Sequence, residues 1–272
     1  MPLTPLLRRP GLEPGPRFFT PHEEAGPRIK SGVTRKSLAI GLSLLLAACD
    51  GAQPLINRQA RAPEPTFPVA DRPVASIVSS RWSTEEARDR VREAERVMDG
   101  ADIRPGMTVA DIGAGEGYYT VRLASRVGPE GRVLAEDIVA SVRDALAERV
   151  ARERLDTVSV KLGEPDDPKL PPNSFDRVMM VHMYHEIAEP YAFLWRLRPA
   201  LKAGGLVVVV DADRPTQNHG TPPALLQCEF AAVGYTQVTR KDIPGAGAYL
   251  ATFRADGPRP EPGAIRGCRA ER

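Results

Sequence analysis

Three glycines alternate with other residues between Asp111 and Gly117, directly after a short apolar stretch, Thr108 to Ile112. The residues that follow have the spacing of a helix. A glycine-rich turn between a strand and a helix lets the backbone approach a ligand closely, and the helix N-terminus offers free N–H groups. About 20 residues further on, Glu136 and Asp137 end a second apolar stretch, where a nucleotide-binding α/β fold places a carboxylate beside a ribose. The sequence therefore indicates a ligand that contains a nucleoside.

The spacing of the glycines separates two kinds of nucleoside ligand. Dinucleotide-binding folds have the pattern G-x-G-x-x-G, which requires a glycine where this chain has Tyr118. The pattern here is D-x-G-x-G-x-G, and it resembles the first motif of the class I S-adenosylmethionine-dependent methyltransferases. The resemblance begins with GMTVADIGAGEGYYTVRLASRVGPEGRVLAEDI and continues to about Ala255.

The resemblance implies S-adenosylmethionine as the cofactor and gives particular residues a role in binding it. Asp111 would lie near the amino end of the methionine moiety, although it could instead hold the glycine loop in place. Asp137 would accept from the two ribose hydroxyls, and its neighbour Glu136 is the alternative acid. Glu164 follows the third predicted strand, where many relatives have an aspartate that accepts from the adenine amino group. The other cofactor-binding candidates form the glycine loop: Gly113, Ala114, Gly115 and Gly117.

A dense polar cluster follows the fourth predicted strand, from His182 to Glu186, in a chain with four histidines. We predict that His182 lies against the cofactor and that His185 or Tyr184 faces the substrate as a general base or an orienting group. The alternative is that His185 and Glu186 hydrogen-bond the strand-to-helix turn. No metal is expected, because two histidines three residues apart lack a third ligand.

The acceptor of the methyl group is less defined by the sequence. Methyl transfer from a sulfonium is an in-line displacement, so much of the catalysis lies in holding the two reactants aligned and dry. Asp211 and Asp213, after the fifth predicted strand, are further candidates for the substrate side. The chain has no basic stripe, which disfavours a nucleic-acid partner. We therefore expect a small-molecule or lipid-like acceptor.

The order of the predicted elements indicates an α/β fold. Strands that alternate with single helices form parallel sheets, and the last two strands are separated only by a short turn, so they pair antiparallel. This predicts a Rossmann-like three-layer sandwich with a mainly parallel sheet, closed by an antiparallel C-terminal hairpin, which is the methyltransferase layout. The predicted helices are 84–98 (with Ser83 as its cap), 118–127, 140–154, 190–202 and 224–232. The predicted strands are 107–112, 132–136, 158–162, 175–181, 206–210, 235–243 and 248–254.

The N-terminal region contains an export pattern. Arg35 and Lys36 precede an apolar run, Leu38 to Ala48, which is too short to span a bilayer but fits the apolar part of an export signal. The run ends at Cys49 and resembles the lipobox of bacterial lipoproteins. This implies a lipidated Cys49 and a protein anchored to the membrane, facing the periplasm. The alternatives are a buried N-terminal helix and a cytoplasmic protein.

Composition divides the chain into four parts. We predict an N-terminal extension with a signal peptide at 1–48, a flexible linker at 49–79, a methyltransferase domain at 80–255 and a disordered tail at 256–272. The first 48 residues carry seven basic and three acidic side chains, so their removal lowers the net charge from +2 to −2. Cys228 and Cys268 are expected as two unpaired thiols, although an oxidising compartment would allow them to pair.

Two functions follow from these patterns. The first is a methyltransferase, and the second is a membrane-anchored lipoprotein that keeps the fold only as a non-catalytic ligand-binding module. The second arises because S-adenosylmethionine is charged and is made in the cytoplasm, whereas Cys49 implies export.

Overall fold

The computed structural model describes residues 65–77 and 84–269. These residues form a layer of strands between two layers of helices. The helices are α1 (Glu85–Arg90), α2 (Glu93–Gly100), α3 (Tyr118–Val127), α4 (Ala140–Arg152), α5 (Pro190–Leu197) and α6 (Pro223–Ala232). The strands are β1 (Thr108–Ile112), β2 (Arg132–Asp137), β3 (Val158–Leu162), β4 (Phe175–Val181), β5 (Leu201–Asp211), β6 (Tyr235–Ile243) and β7 (Ala248–Ala255).

The strands form one sheet in the order β3-β2-β1-β4-β5-β7-β6. Strands β1 to β5 are parallel, whereas β7 lies antiparallel between β5 and β6. The predicted fold, a mainly parallel sheet closed by an antiparallel hairpin, is confirmed. Because the strand order reverses between β1 and β4, a crevice opens at their carboxyl ends, which is where ligands bind in sheets of this kind.

The first predicted helix, 84–98, is interrupted. Helix α1 ends at Arg90 and α2 begins at Glu93, since Arg92 adopts a left-handed conformation with φ of 52°. The cap is Thr84, whose Oγ1 accepts from the N–H of Ala87 at 3.2 Å. Ser83, the predicted cap, lies outside the described residues.

The helix predicted at 190–202 is shorter than expected. Helix α5 ends at Leu197 and is followed by a single 3₁₀ turn, and β5 already begins at Leu201, which pairs with Phe175 of β4. Gly205 lies inside this strand, where an added Cβ would lie 2.8 Å from the carbonyl oxygen of Phe175. The close approach of the two strands explains a glycine at a position where sequence alone predicts the end of a helix.

Two apolar cores lie on opposite faces of the sheet. One is formed with α5, α6 and the first and last described segments, and it contains large aromatic side chains: Phe175, Tyr184, Tyr191, Phe230 and Phe253. The other is formed with α2 and α3 and is mostly aliphatic: Val97, Leu123, Val127, Val133 and Val208. Burial on both faces accounts for the uninterrupted apolar run in β5.

Residues 65–77, which we predicted as part of a flexible linker, pack against the α5–α6 face. The guanidinium of Arg72 forms a fully buried ion pair with Glu229 at 2.9 Å. It also donates to the carbonyl oxygen of Ile187 at 3.0 Å, and the N–H of Ala75 donates to the carbonyl of His185 at 3.2 Å. The linker prediction is therefore wrong for these residues, because a buried cation and its carboxylate tie them to the domain.

The disordered tail predicted at 256–272 is also corrected. Residues 256–269 run along the same face as residues 65–77, and Asp71 and Arg269 form a parallel β-bridge. Cys268 forms a disulfide with Cys228 of α6, with 6.0 Å between the Cα atoms. The N–H of Cys268 donates to the hydroxyl of Tyr191 at 2.6 Å. The expected pair of free thiols is thus a cross-link that attaches the C-terminal segment.

The predicted export signal and Cys49 lie outside the described residues. Within residues 65–77 and 84–269, none of the helices combines the length and the apolar character that a membrane span requires.

We predict that the disulfide contributes measurably to the free energy of unfolding. Cys268→Ser is expected to lower the free energy of unfolding by about 2–4 kcal/mol, because the bond closes a loop of 40 residues in the unfolded chain. Urea titrations of the full chain measure this change. Cys228→Ser should have the same effect and the double variant no further effect. A wild-type unfolding midpoint that is unchanged by a strong reductant would contradict the cross-link.

Candidate functional site

A cavity of about 1280 Å³ opens at the carboxyl ends of β1, β2 and β4. It is large enough for a nucleoside cofactor together with a small second reactant. The glycine loop and the end of β2 form one wall, the 182–188 segment forms another, and α1 contributes charged side chains: Glu85, Glu86 and Arg88. The cavity therefore lies in the crevice that the strand order creates.

The glycine loop is shaped by positions that only glycine occupies without strain. Gly117 has φ of +90°, and an added Cβ would lie 2.5 Å from a methyl carbon of Leu146. Gly113 has φ of +65°, and its Cβ would meet the side chain of Met183 at 3.0 Å. The loop thus brings bare backbone to the cavity wall, as a cofactor that binds against N–H groups requires.

Asp137 holds this loop in place. One carboxylate oxygen accepts from the N–H of Gly115 at 3.1 Å, and the other accepts from the N–H of Val139 at 2.9 Å, just before α4. Asp137 is buried and lines the cavity. Each carboxylate oxygen has a second lone pair, so Asp137 can hold the loop and still accept from a vicinal diol.

Glu136 is the more unusual of the two adjacent acids. Its side chain is 1% exposed, and neither carboxyl oxygen has a hydrogen-bond partner among the residues described. Burial, together with the nearby charge of Asp137, raises the pKa of Glu136 to about 8, against the opposing effect of Lys161. The carboxyl group lies against Gly163, where an added Cβ would be 1.1 Å from Oε1. A polar ligand in the cavity would give Glu136 the partner that the protein does not supply.

The remaining two acids predicted to bind the cofactor, Asp111 and Glu164, differ in their position relative to the cavity. Asp111 is buried and accepts from the hydroxyl of Thr120 at 2.6 Å, which joins β1 to α3. Burial raises the pKa of Asp111 to about 6 despite this hydrogen bond. Asp111 does not line the cavity, and both its contact with a cofactor and the loop-holding alternative stay predictions. Glu164 does line the cavity, but its half-exposed carboxylate forms an ion pair with Lys169.

His182 lines the cavity and is tied to α2, and its contact with a cofactor stays a prediction. Its Nε2 lies 3.5 Å from Oε1 of the buried Glu93. The same carboxylate accepts from Arg88 at 2.7 Å and from the hydroxyl of Tyr119 at 3.0 Å. Burial opposes the charge of Glu93, but His182 and Arg88 outweigh it and lower its pKa to about 2. This network fixes His182 between the cavity and the helical layer.

His185 is buried behind the cavity wall. Its Nδ1 lies 3.0 and 3.1 Å from the two carboxylate oxygens of Asp211, which is fully buried at the end of β5. Asp211 also accepts from the N–H of Ala212 at 2.8 Å and from the hydroxyl of Thr221 at 2.7 Å. The carboxylate therefore fixes the orientation of the imidazole, and the role of His185 toward the substrate stays a prediction because it does not line the cavity.

Tyr184 is not at the site. Its side chain is fully buried in the aromatic core, and its hydroxyl donates to Glu229 at 2.7 Å. Burial raises the pKa of Tyr184 well above its usual value, with Glu229 acting in the same direction. The prediction that Tyr184 faces the substrate is wrong. Tyr184 begins a 3₁₀ turn, Tyr184–Glu186, in which its side chain points into the protein core. Asp213, another candidate for the substrate side, is exposed.

Sequence reasoning missed the contribution of α1. Glu85 of this helix pairs with Arg149 of α4 and with Arg122 of α3 at 3.3 Å. Arg88 lies over the ring of Tyr118 at 3.9 Å. The capping pattern indicated a helix here. The position of this helix at the cavity depends on long-range ion pairs, which local spacing in the sequence does not reveal.

Comparisons with known proteins agree with this geometry. Residues 109–205 match the family described as "Methyltransferase domain". The nocamycin O-methyltransferase of Saccharothrix syringae is 44% identical over 85 residues, which are 31% of this chain and 30% of that protein. The demethylmenaquinone methyltransferase of Symbiobacterium thermophilum is 31% identical over 113 residues, 41% of this chain and 45% of that protein. The chain thus spans less than half of either relative's length.

The fold comparison extends further along the chain. A crystal structure of a SAM-dependent methyltransferase from Aquifex aeolicus matches with a TM-score of 0.59 and 23% identity, over 62% of this chain and 93% of that one. The family match places a methyltransferase domain within residues 109–205, and the structural match shows that this chain shares the fold of that methyltransferase. The matched region, 109–205, contains the glycine loop, Asp137, Glu164 and the polar cluster.

The buried Glu136 predicts a pH-dependent stability of the ligand-free protein. Its folded pKa of about 8 exceeds its ordinary value of 4.5, so the neutral form stabilises the fold. This contribution is fully present below about pH 4.5 and is lost as the pH rises through 8. Relative to Glu136→Gln, the wild type should lose on the order of 4 kcal/mol of unfolding free energy between pH 5 and 9. Urea titrations across this range measure the difference.

Glu130→Gln is the matched control, since Glu130 is an exposed acid in the turn before β2. It should follow the wild-type profile. Parallel profiles for the wild type and Glu136→Gln would mean that Glu136 is hydrated or paired in solution.

Proposed function

We propose that the protein transfers the methyl group of S-adenosylmethionine to a small-molecule or lipid-like acceptor. The observation that carries the proposal is the cavity at the strand-order reversal, where a bare glycine loop is held by Asp137, whose carboxylate also faces the cavity. Asp137 would receive the ribose hydroxyls, and the loop N–H groups would face the methionine moiety. The names of the two relatives, nocamycin O-methyltransferase and demethylmenaquinone methyltransferase, support an acceptor of this kind.

The acceptor would occupy the side of the cavity formed by the 182–188 segment and α5. Apolar side chains line this part: Met183, Ile187, Ala188 and Phe193. Such a wall favours an acceptor with an apolar body and excludes water from the reacting atoms. The acceptor X–H loses its proton to water and gains the methyl group, while the sulfonium leaves as neutral S-adenosylhomocysteine. The protein contributes alignment and dryness, which dominate this kind of displacement.

Cofactor binding is tested by calorimetric titration of the full chain with S-adenosylmethionine and S-adenosylhomocysteine. Asp137→Ala should weaken the binding of both by about 100-fold, because two charge-assisted hydrogen bonds are lost and the loop is released. Asp156→Ala, an exposed acid before β3, is the control and should bind as the wild type does. If the folded wild-type chain binds neither compound, the proposed function is wrong.

The alternative of a non-catalytic binding module receives no support from the comparisons. Turnover separates it from an enzyme: a binding module would bind S-adenosylmethionine without releasing S-adenosylhomocysteine on any acceptor. Screening small hydroxyl, thiol, amine and quinol acceptors for that product makes the distinction.

We also propose that the protein is exported and anchored through a lipidated Cys49. The apolar run before Cys49 supports this location. The Cys228–Cys268 disulfide supports it independently, since such bonds persist in oxidising compartments outside the cytoplasm. A cytoplasmic protein is the alternative.

Substitution of the lipidation residue tests the location. In a bacterial host, wild-type protein is expected in the membrane fraction, and Cys49→Ala should leave it because the acyl chains are lost. Fractionation followed by immunoblotting measures the distribution, and Cys228→Ser serves as a control that keeps the lipidation site. Equal, soluble distributions of wild type and Cys49→Ala would refute the anchor.

A further inference from the structure

Three side chains from two loops meet beside the cofactor cavity. His185 and Glu186 follow β4, and His219 follows β5, and one potential ligand atom from each lies within 4.8 Å of the others. The rings of His185 and His219 are nearly perpendicular, in a T-shaped contact with centroids 5.5 Å apart. His219 is a potential third ligand of the kind that the sequence pattern around residue 182 lacked. It is 34 residues away along the chain from His185, so spacing could not reveal it.

The hydrogen bonds of His185 use only one nitrogen of its imidazole, so the other nitrogen can coordinate a metal. Its Nδ1 lies within hydrogen-bond distance of the carboxylate of Asp211, so Nε2 is the nitrogen that remains for coordination. A carboxylate that fixes a histidine through its other nitrogen is the usual second layer of a protein metal site. Asp211 is itself held by Ala212 and Thr221, so this orientation is rigid.

The loop that carries His219 is also held in place. The hydroxyl of Thr216 donates to the carbonyl oxygen of Pro73 at 2.6 Å. The hydroxyl of Tyr249 donates to the carbonyl oxygen of Thr221 at 2.7 Å. On the other side, Arg72 holds the turn that contains His185 and Glu186 through its hydrogen bond to Ile187. Both loops of the cluster are therefore anchored to buried groups.

We propose that His185, Glu186 and His219 form a binding site for a divalent transition metal, with zinc as the ion that fits best. Two imidazoles and one carboxylate are one of the ligand sets of catalytic zinc sites, which keep one position open. Metal–ligand bonds of about 2.1 Å span at most about 4.2 Å between ligand atoms, so small side-chain rotations close the cluster. This revises the expectation of no metal, which depended on the absence of a third ligand.

The site would serve the acceptor. Glu186 belongs both to the cluster and to the cavity wall, so a metal held by these residues would lie next to the proposed acceptor side. A hydroxyl or thiol bound there would have a lowered pKa and would release its proton to water before it attacks the methyl carbon. This role rests on the proposed methyl transfer, whereas metal binding itself does not.

Metal binding is tested on the full chain, purified with a tag that contains no histidine and freed of metal by a chelator. Zn²⁺ is titrated by calorimetry, and Co²⁺ provides a visible-absorption signature of its coordination. We expect one ion per chain. His219→Asn and Glu186→Gln should each weaken zinc binding by at least tenfold, and Asp211→Asn by about 10–100-fold through the second layer.

His182→Asn is the matched control. His182 lies three residues from His185 but outside the cluster, so this variant should bind zinc within twofold of the wild type. Circular dichroism of each variant establishes that it is folded. A wild-type chain that binds no stoichiometric zinc, or a His219→Asn variant that binds zinc as the wild type does, would overturn the proposal.

The same preparations are titrated with S-adenosylhomocysteine in a metal-free buffer. Binding of S-adenosylhomocysteine without zinc binding would reject the metal site and leave the proposed function standing. Zinc binding without S-adenosylhomocysteine binding would reject the proposed function and leave the metal site in place.

Discussion

The carboxylate of Asp137 is the point on which the cofactor side of this protein depends. It joins the glycine loop after β1 to the backbone before α4, so the ends of two neighbouring strands act as one rigid wall. The carbonyl of Glu136, one residue earlier, accepts from the N–H of Ala114 and adds a second link between the same segments. These bonds engage the N–H groups of Ala114 and Gly115 in the loop and of Val139 before α4.

The side proposed for the acceptor is fixed by a different set of constraints. Its histidines lie on loops after β4 and β5, and such loops are rigid only when buried groups hold them. Arg72 supplies one anchor, through Glu229 and the turn at Ile187. Asp211 supplies the other at the end of β5. The segments at both ends of the described chain thus pack against the face that supports the site, and the Cys228–Cys268 disulfide holds one of them there.

Much of the fold could be predicted from the sequence, because its signals are local. The glycine loop, the apolar strands and the turn at residues 244–247 each depend on neighbouring residues, and the strands at Val158–Leu162 and Tyr235–Ile243 have the predicted bounds. The failures have a common physical cause. Tyr184, Cys268 and the 65–77 segment are placed by partners far along the chain: Glu229, Cys228 and the α5–α6 face. Periodicity and spacing carry no information about such contacts. The cofactor-binding candidates could be predicted from the sequence because they follow strand ends. The contacts of His185 with Asp211 and His219 could be found only in the folded structure.

The central claim is that the cavity at the ends of β1, β2 and β4 holds S-adenosylmethionine. A crystal structure of the full chain with S-adenosylhomocysteine tests it most directly. We expect the ribose hydroxyls at the carboxylate of Asp137, the adenine between that strand end and the Gly163–Glu164 segment, and the amino-acid moiety along the glycine loop. A ligand bound elsewhere, or with its ribose remote from both Asp137 and Glu136, would contradict the assignment of the cavity and the function proposed from it.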